Sequence, residues 1–402
     1  MESLLERFCR YVKVETTADE SSQNYPSSAG QWDLARLLQK ELAEMGLQPE
    51  LSEHAIVSAT LPGTVEQAPT ICWLAHMDTS PESSGKDVKP QVVENYSGGD
   101  ITLKNGKMIP AEDLSGVVGK TVITTDGTTL LGADDKAGVA VVMTALERLL
   151  AQPDKPRCPV RVVFTCDEEI GRGTDKLDLE KINAVCAYTL DGEASGLIEN
   201  ETFSADLAVV KIVGKNIHPG LAYGKMSNAI RALGTFLSAL PPELSPERTR
   251  DKEPFIHPYN LSGGVDEVSL RILLRSFETS DLKEQAKLLE SAARKTEEAW
   301  PGIKVELDIK EQYRNMALYL SKEPRAVALA EAAYKKLGIE PTFKAIRGGT
   351  DGSRLSELGL PTPNLSTGMH NFHSELEFAC LEEMESAVKV LLELAALWGN
   401  ET

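Results

Sequence analysis

The sequence predicts an α/β fold built on a mixed sheet, with a smaller domain inserted into the second half of the chain. Apolar runs of strand length alternate with amphipathic helical patterns up to about residue 205. The pattern then changes to longer, alternating strands around two helices, and from about residue 317 the first pattern returns. We therefore expect one domain formed by residues 1–205 and 317–402, and an inserted domain at 206–316.

Length and composition bound the class of protein. The 402 residues carry a formal net charge of -19, with 42% hydrophobic and 26% charged residues, which is ordinary for a soluble globular protein of two or three domains. The negative charge argues against nucleic acid or an anionic membrane surface as a partner. The six cysteines are scattered without a CxxC pair, which predicts free and mostly buried thiols.

No targeting or membrane segment is evident in the sequence. No apolar run approaches the ~18 residues of a membrane span. The first residues lack the basic region and the apolar core of a signal peptide. We therefore expect a cytoplasmic protein.

The first part of the chain supplies two helices and two strands. Apolar residues at helical spacing predict helices over Leu4–Val12 and Gln31–Met45. Ala55–Leu61 and Thr70–Ala75 have strand composition, and the second run is so apolar that we expect it in the centre of the sheet, covered on both faces. Residues 81–123 show no such pattern and predict a long, mostly irregular connection.

Potential metal ligands follow four successive apolar runs, where strands are predicted to end: His76, the pair Asp134-Asp135, the pair Glu168-Glu169, and Asp191. Each alone is explained as well by a solvated turn or an acidic helix N-cap. However, sites in α/β sheets gather at the carboxyl ends of strands, and adjacent carboxylates repel each other unless a cation or hydrogen-bond donors compensate. Four such coincidences favour a metal-binding site.

Spacing indicates two further relationships. His76 and Asp78 are two residues apart, so they share one face of a strand, and a carboxylate there could fix the tautomer of a metal-bound imidazole. Glu168 and Glu169 are adjacent, so their side chains diverge in extended backbone. One of them could bind a metal while the other faces a substrate as a base.

The middle of the chain predicts a split βαβ, ferredoxin-like domain, with one strand that the pattern does not locate. Its expected elements are strands at Ala205–Val213, Gly264–Phe277 and Lys304–Ile309, and helices at Asn228–Leu240 and Asp281–Trp300. The Pro-rich segment 241–258 is expected to be an excursion from this domain. The last part of the chain predicts a helix at 323–337, a strand at Thr342–Ile346 and a closing helix at Leu381–Trp398.

Five motifs occur in a fixed order along the chain: His76-Met77-Asp78, Ala133-Asp134-Asp135-Lys136, Asp167-Glu168-Glu169, Asp191-Gly192 and His373. In this order they resemble the M20 family of co-catalytic zinc peptidases. Further stretches are typical of the branch of that family that acts as tripeptide aminopeptidases: Ser83–Lys86, Glu94–Ile101, Ile123–Gly132 and Ile346–Gly352. The resemblance extends from about residue 2 to residue 398.

The resemblance implies a mixed-sheet zinc-peptidase catalytic domain with an inserted ferredoxin-like (βαββαβ) lid and dimerisation domain. It also implies two Zn²⁺ ions per subunit. Asp134 would bridge the two ions, and the peptide bond that follows it would be cis. His76 and Asp191 would complete one metal site, and Glu169 and His373 the other.

The same resemblance implies the catalytic and substrate-binding roles. Glu168 would be the general base that takes a proton from a zinc-activated water, and Asp78 would orient a metal-bound histidine. In the inserted domain, His218 would stabilise the oxyanion of the tetrahedral intermediate. Two residues would bind the substrate: Arg347 its carboxylate and Asn228 its backbone.

The implied activity is removal of the N-terminal residue from short peptides, with a homodimer through the inserted domain compatible with the family. An M20-type deacylase or carboxypeptidase-type amidase is the alternative, because the same dizinc site serves both and only the groups recognising an amine or an acyl chain differ. A non-catalytic binding module would have lost a ligand or the base, and none is missing. Three stretches depart from the usual pattern of the branch, which leaves the preferred peptide length open: Tyr223–Asn228, Arg275-Ser276-Phe277 and Asp191-Gly192-Glu193.

Overall fold

A computed structural model of the chain describes residues 2–401. Its helices are α1 Leu4–Tyr11, α2 Ala29–Glu44, α3 Ala133–Leu150, α4 Leu179–Ile182, α5 Ala229–Ser238, α6 Thr279–Ala299, α7 Ala317–Leu320, α8 Arg325–Lys336, α9 Asp351–Glu357 and α10 Leu381–Trp398. Its strands are β1 Glu50–Leu51, β2 Val57–Leu61, β3 Ile71–His76, β4 Gln91–Val93, β5 Ile101–Thr102, β6 Met108–Ile109, β7 Val122–Thr124, β8 Val160–Thr165, β9 Cys186–Glu193, β10 Leu197–Thr202, β11 Ser204–Val213, β12 Phe255–Gly263, β13 Glu267–Ser276, β14 Lys304–Tyr313, β15 Thr342–Ile346, β16 Asn364–His370 and β17 Phe378–Cys380.

The chain divides into two compact units. The first contains the residues up to Asn200, Tyr319–Lys344, and the residues from Thr350 onwards. The second contains Glu201–Leu318 and the short segment Ala345–Gly349, where the sequence predicted an insertion at 206–316. The segment Ala345–Gly349 is too short to show a periodic pattern of apolar residues, so the sequence did not predict that it belongs to the second unit.

The first unit is built on a mixed sheet with the strand order β1-β2-β8-β3-β9-β16-β17-β7-β4. The strands β8, β3 and β9 are parallel neighbours, and β16 also runs parallel to β9. The outer strands pair antiparallel, as β2 does with β8 and β7 with both β17 and β4. This arrangement confirms the predicted α/β class with a mixed sheet.

The position of strand β3 in the sheet explains why its sequence is so apolar. Every residue of β3 is buried. On one face, Ile71 and Trp73 join the main core with α3 and α10, and on the other face Cys72 and Leu74 join a second cluster with α4 and α9. Because successive side chains alternate between the faces of a sheet, a strand covered on both faces needs apolar residues throughout.

The segment 81–123 is more ordered than its sequence predicts. It contains β4, β5 and β6, and β7 begins at Val122 within it. Tyr96, Ile109 and Leu114 are buried in a small separate core beneath it. Strands of two or three residues are too short to leave a recognisable alternating pattern, which accounts for the expectation of a mostly irregular connection.

The second unit has the order β11-α5-β12-β13-α6-β14 and an antiparallel sheet with the strand order β12-β13-β11-β14. This is the predicted βαββαβ, ferredoxin-like arrangement. The strand that the sequence did not locate is β12, which begins at Phe255 inside the predicted excursion 241–258. Pro258 lies at a register shift in this edge strand, a position where proline is tolerated because no ladder hydrogen bond is lost.

Two of the compositional predictions can be compared with the structure. Among residues 2–401, every cysteine is a free thiol and all but Cys9 are buried, as predicted. None of the helices in the same range is both long enough and apolar enough to cross a lipid bilayer.

Candidate active site

Three parallel strands of the first unit bring acidic and histidine side chains to one edge of the sheet. His76 is the last residue of β3, and Asp191 lies near the carboxyl end of β9. After β8 ends at Thr165, a 3₁₀ turn at Glu168–Ile170 carries the two glutamates. Since β8, β3 and β9 are parallel neighbours, their carboxyl ends meet at the same edge.

Asp134 reaches this edge by another route from the one predicted. The sequence predicted that a strand ends at the two aspartates, and this is wrong. Strand β7 ends at Thr124, and a loop follows up to Gly132, whose positive φ of 79° precedes α3. Asp134 and Asp135 keep non-helical backbone angles at the start of α3, and the peptide bond between them is cis, as the family resemblance implied.

The five predicted metal ligands lie together around Asp134. The Nε2 atom of His76 is 3.0 Å from Asp134 Oδ1 and 3.6 Å from Asp191 Oδ1. The Nε2 atom of His373 is 3.2 Å from Asp134 Oδ2 and 2.8 Å from Glu169 Oε2. Each carboxylate oxygen of Asp134 therefore faces a different imidazole, which is the arrangement expected of a carboxylate shared by two cations.

The donor chemistry of the cluster fits a pair of divalent metal ions. One ligand atom each from His76, Asp134 and Glu169 lie within 4.8 Å of one another, and the same holds for His76, Asp135 and Asp191. Within the described part of the chain, the buried Oε1 atom of Glu169 has no hydrogen-bond partner. A buried carboxylate oxygen without a donor is costly, and a cation bound by mixed nitrogen and oxygen ligands would remove that cost.

Burial and mutual repulsion shift the pKa values of these groups. Burial raises the pKa of Asp191 to about 7 and that of Glu169 to about 8, and the charge of Asp134 adds to both shifts. For Asp134, burial acts upward, but hydrogen bonds from His373 and His76 outweigh it and hold the pKa below its usual range. Because ligands must lose their protons to bind a metal, metal binding at this cluster should release protons.

Asp78 connects the two ends of the site. Its side chain is fully buried, and its Oδ1 atom lies 3.4 Å from His76 Nδ1. The same carboxylate accepts the backbone N–H of Glu168 at 3.1 Å and that of Glu169 at 3.0 Å. Asp78 therefore does more than the sequence predicted, because it contacts a ligand histidine and also anchors the turn that carries both glutamates.

Glu168 stands on that turn with part of its surface open to solvent. Removal from water raises the pKa of its carboxyl group well above the usual value. His76 opposes this shift, whereas the nearby carboxylates, Asp351 first among them, add to it. A carboxylate that holds a proton more tightly than usual is suited to accept one from a bound water.

Asn364 belongs to the surroundings of the site, and the sequence analysis assigned it no role. Its side-chain oxygen accepts the backbone N–H of Asp191 at 3.0 Å, and its amide nitrogen donates to Glu199 Oε2 at 2.7 Å. Asn364 thereby fixes the backbone of a predicted ligand. No local signal could have revealed this, because the contact depends on the parallel pairing of β16 with β9.

His218 and Asn228, to which the resemblance assigned oxyanion and substrate contacts, lie in the second unit. His218 is exposed, and its Nδ1 atom accepts the N–H of Gly220 at 3.2 Å. Asn228 is the N-cap of α5, where its Oδ1 atom accepts the N–H groups of Ile230 and Arg231. Asn228, a predicted substrate contact, is therefore also a helix-capping residue.

Arg347 also lies in the second unit, and contacts within that unit hold its side chain. Its guanidinium group donates to the carbonyl oxygens of Asp251 at 2.6 Å and Glu253 at 3.1 Å. It also donates to Thr249 Oγ1 at 3.0 Å and lies 5.2 Å from the ring centre of Phe203. A substrate carboxylate bound here would have to share these donors.

The fold and the sequence are those of a known class of peptidase. Residues 124–397 match the sequence profile of peptidase family M20/M25/M40, and the chain belongs to this family. It is similar over its whole length to peptidase T of Caldanaerobacter subterraneus subsp. tengcongensis, with 46% identity over 409 residues and coverage of 100% of both chains. The family and the branch recognised from the motifs are thereby confirmed.

Two solved structures share the fold. Aminopeptidase PepT from Bacillus cereus aligns with a TM-score of 0.78 and 23% identity, covering 98% of each chain. A tripeptidase from Staphylococcus aureus aligns with a TM-score of 0.79 and 23% identity, covering 99% of this chain and 98% of the other. At this identity the likeness establishes the common fold.

Proposed function

We propose that the protein is a dizinc aminopeptidase that releases the N-terminal residue from tripeptides. The observation that carries the proposal is the position of Asp134, whose two carboxylate oxygens face His76 and His373, one each. The similarity to peptidase T, and the aminopeptidase and tripeptidase among the structures with this fold, support the choice of substrate.

The residues that would hold two zinc ions fall into two sets, with Asp134 common to both. His76 and Asp191 would hold one ion, and Glu169 and His373 the other. When bound, such a zinc pair activates a water molecule for attack and polarises the peptide carbonyl group. Two buried residues hold these ligands: Asp78 contacts the side chain of His76, and Asn364 binds the backbone of Asp191.

Glu168 is the proposed proton carrier. It would take a proton from the attacking water and deliver it to the leaving amine. Its raised pKa suits both steps, because the carboxylate must accept a proton from the water and then give it to the amine nitrogen as the C–N bond breaks. The hydrogen bond from its backbone N–H to Asp78 keeps the residue in place during the transfer.

Three residues of the second unit are the proposed substrate contacts. His218 would stabilise the developing oxyanion, Asn228 would bind substrate backbone, and Arg347 would bind the C-terminal carboxylate. The Nε2 atom of His218 is not engaged in the hydrogen bond with Gly220. These assignments rest on the family resemblance and on the chemistry of each side chain.

The test compares hydrolysis of an unblocked tripeptide, its N-acetylated form, its C-terminal amide and the matching dipeptide, on protein of measured zinc content. We expect the unblocked tripeptide to be hydrolysed fastest. Preference for the acetylated peptide would move the assignment to a deacylase, and two bound zinc ions without turnover of any substrate would refute the substrate proposal. A Glu168→Gln variant should keep its zinc and lose about 10²- to 10⁴-fold in kcat.

Two further comparisons test the individual residues. Glu180 is an exposed glutamate of α4, so Glu180→Gln is the matched control and should retain full activity. An Arg347→Lys variant keeps the charge but not the planar fork of donors. It should therefore raise KM for the unblocked tripeptide and leave KM for the C-terminal amide unchanged.

A further inference from the structure

Glu377 is a buried carboxylate to which none of the roles above applies. It lies just before β17 in the segment that carries His373, and it is 1% exposed. Its Oε2 atom accepts the backbone N–H groups of Leu131 at 2.7 Å and Gly132 at 2.8 Å. Its Oε1 atom accepts the N–H of Asp134 at 3.0 Å. Both oxygens of Glu377 therefore serve the loop that leads to the bridging aspartate.

The donors that meet Glu377 lie in the loop before α3 and in the first turn of that helix. The first N–H groups of a helix have no partner inside the helix, and successive backbone N–H groups that converge on one point form a site for an anion. Here the anion comes from the protein itself. Three backbone N–H groups donate to the two oxygens of Glu377, so this contact restrains the backbone of Asp134 directly.

Glu377 thereby links two segments that are far apart in the chain and that both carry metal ligands. His373 Nε2 lies 3.2 Å from Asp134 Oδ2, and Glu377, from the same segment as His373, binds the N–H of Asp134. The relative position of Asp134 and His373 is therefore set by contacts that need no metal ion.

We propose that Glu377 is a positioning residue of the metal centre, which holds the backbone of Asp134 in register with His373 so that the shared carboxylate is placed before zinc binds. The inference rests on the dizinc function proposed above. It adds that the relative position of Asp134 and His373 is fixed by contacts within the protein, through Glu377, and is not imposed by the ions.

The experiment measures zinc affinity and kinetics of a Glu377→Gln variant beside wild type. The amide oxygen of glutamine can accept the N–H groups of Leu131 and Gly132, but its NH₂ group would then face the N–H of Asp134. We expect at least one of the two zinc equivalents to bind about 10- to 100-fold more weakly, measured by competition with a chromophoric chelator. The kcat for the tripeptide, expressed per folded molecule, should fall by a similar factor. A general loss of folded protein would lower the number of zinc sites and leave their affinity unchanged, so the zinc affinity is the reading that identifies a positioning role.

Glu375→Gln is the matched control, since Glu375 lies in the same segment and pairs with Lys107 away from the cluster; it should bind zinc as wild type does. A measurement on wild type alone guards against misfolding of the variant. Amide hydrogen exchange of metal-free protein should show the N–H of Asp134 protected to the same degree as in zinc-loaded protein.

The possible results distinguish failure of both proposals from failure of the role of Glu377 alone. Wild type that binds no zinc would refute the dizinc function and the role of Glu377 with it. Two zinc equivalents of equal affinity in wild type and Glu377→Gln would overturn the role of Glu377 alone, as would free exchange of the Asp134 N–H in the metal-free protein.

Discussion

Replacing Asp78 by asparagine removes one charge from a buried carboxylate that serves three groups at once. The carboxylate contacts His76 Nδ1 and accepts the N–H groups of Glu168 and Glu169. Asparagine keeps one oxygen, so it can accept one of the two N–H groups, and its NH₂ group meets the other. At least one hydrogen bond to a charged group is therefore lost, about 1.5–3 kcal/mol.

That loss of free energy converts to a rate. If it is felt in the transition state, where Glu168 must be in place, kcat falls by a factor of about 10 to 150, since 1.36 kcal/mol is tenfold. The imidazole of His76 also loses its negatively charged neighbour, so zinc affinity should fall about 10- to 100-fold. The two effects can be separated by assaying at saturating zinc.

The assay is steady-state hydrolysis of the unblocked tripeptide by Asp78→Asn, with zinc affinity from chelator competition and unfolding by urea. Asp154→Asn, at an exposed turn residue, is the control and should match wild type. The reasoning about Asp78 is refuted if the variant is folded and both its kcat and its zinc affinity lie within twofold of wild type.

Further predictions concern pH, packing and metal removal. Burial raises the pKa of Glu199 from 4.5 to about 7, so the folded protein binds this proton more tightly and the free energy of unfolding falls as the pH rises across that interval. Glu199→Gln, which can still accept from Asn364, should therefore be more stable than wild type by about 1–3 kcal/mol at pH 8 and nearly equal to it at pH 4. A Cβ atom at Gly138 would lie 1.9 Å from the carbonyl oxygen of Leu190, so Gly138→Ala should destabilise the protein by at least about 1–3 kcal/mol in urea unfolding. Gly234 of α5 is exposed with nothing near its Cβ position, and Gly234→Ala should stabilise by about 0.5–1 kcal/mol. Removal of metal by a chelator should lower the thermal unfolding midpoint, and zinc at 100 times its Kd should restore about 2.7 kcal/mol.

Each of these predictions would be contradicted by a specific result. A stability difference for Glu199→Gln that does not change with pH would show that the group titrates normally in the folded protein. Equal effects of the two glycine substitutions would contradict the close approach at Gly138. An unfolding midpoint that neither falls with chelator nor rises with zinc would show that the cluster does not bind metal in the folded state.

The predicted ligands could be found from the sequence because most of them follow strong local signals. His76, Glu169 and Asp191 come at or after apolar strands that lie side by side and parallel, so their common location follows from a general property of such sheets. Asp134 was found by its motif, although the local prediction of a strand leading into it was wrong. The supporting residue Asn364 carries no local signal, since its partners come from other strands.

The elements of the fold can likewise be divided into those with a strong local signal in the sequence and those without one. The long, periodic helix α10 has the bounds that the sequence predicts, and so has the short strand β15. The strand β12 was missed because its proline and exposed residues break the pattern of an alternating strand. The return of Ala345–Gly349 to the second unit is a tertiary contact, and periodicity reports only what is repeated along the chain.

The order of strands in the main sheet has a consequence for the growing chain. Within the described residues, β7 and β4 connect to the other strands of the sheet through β16 and β17, which are the last strands to be synthesised. Chains are made from the N-terminus, and domains fold as units. The strands β4 and β7 therefore cannot join the rest of the sheet until residues near Cys380 leave the ribosome. The whole second unit is translated in the meantime. A chain interrupted before β16 has a sheet in two pieces and lacks His373, so an incomplete product of translation cannot assemble the full metal centre and should remain without peptidase activity.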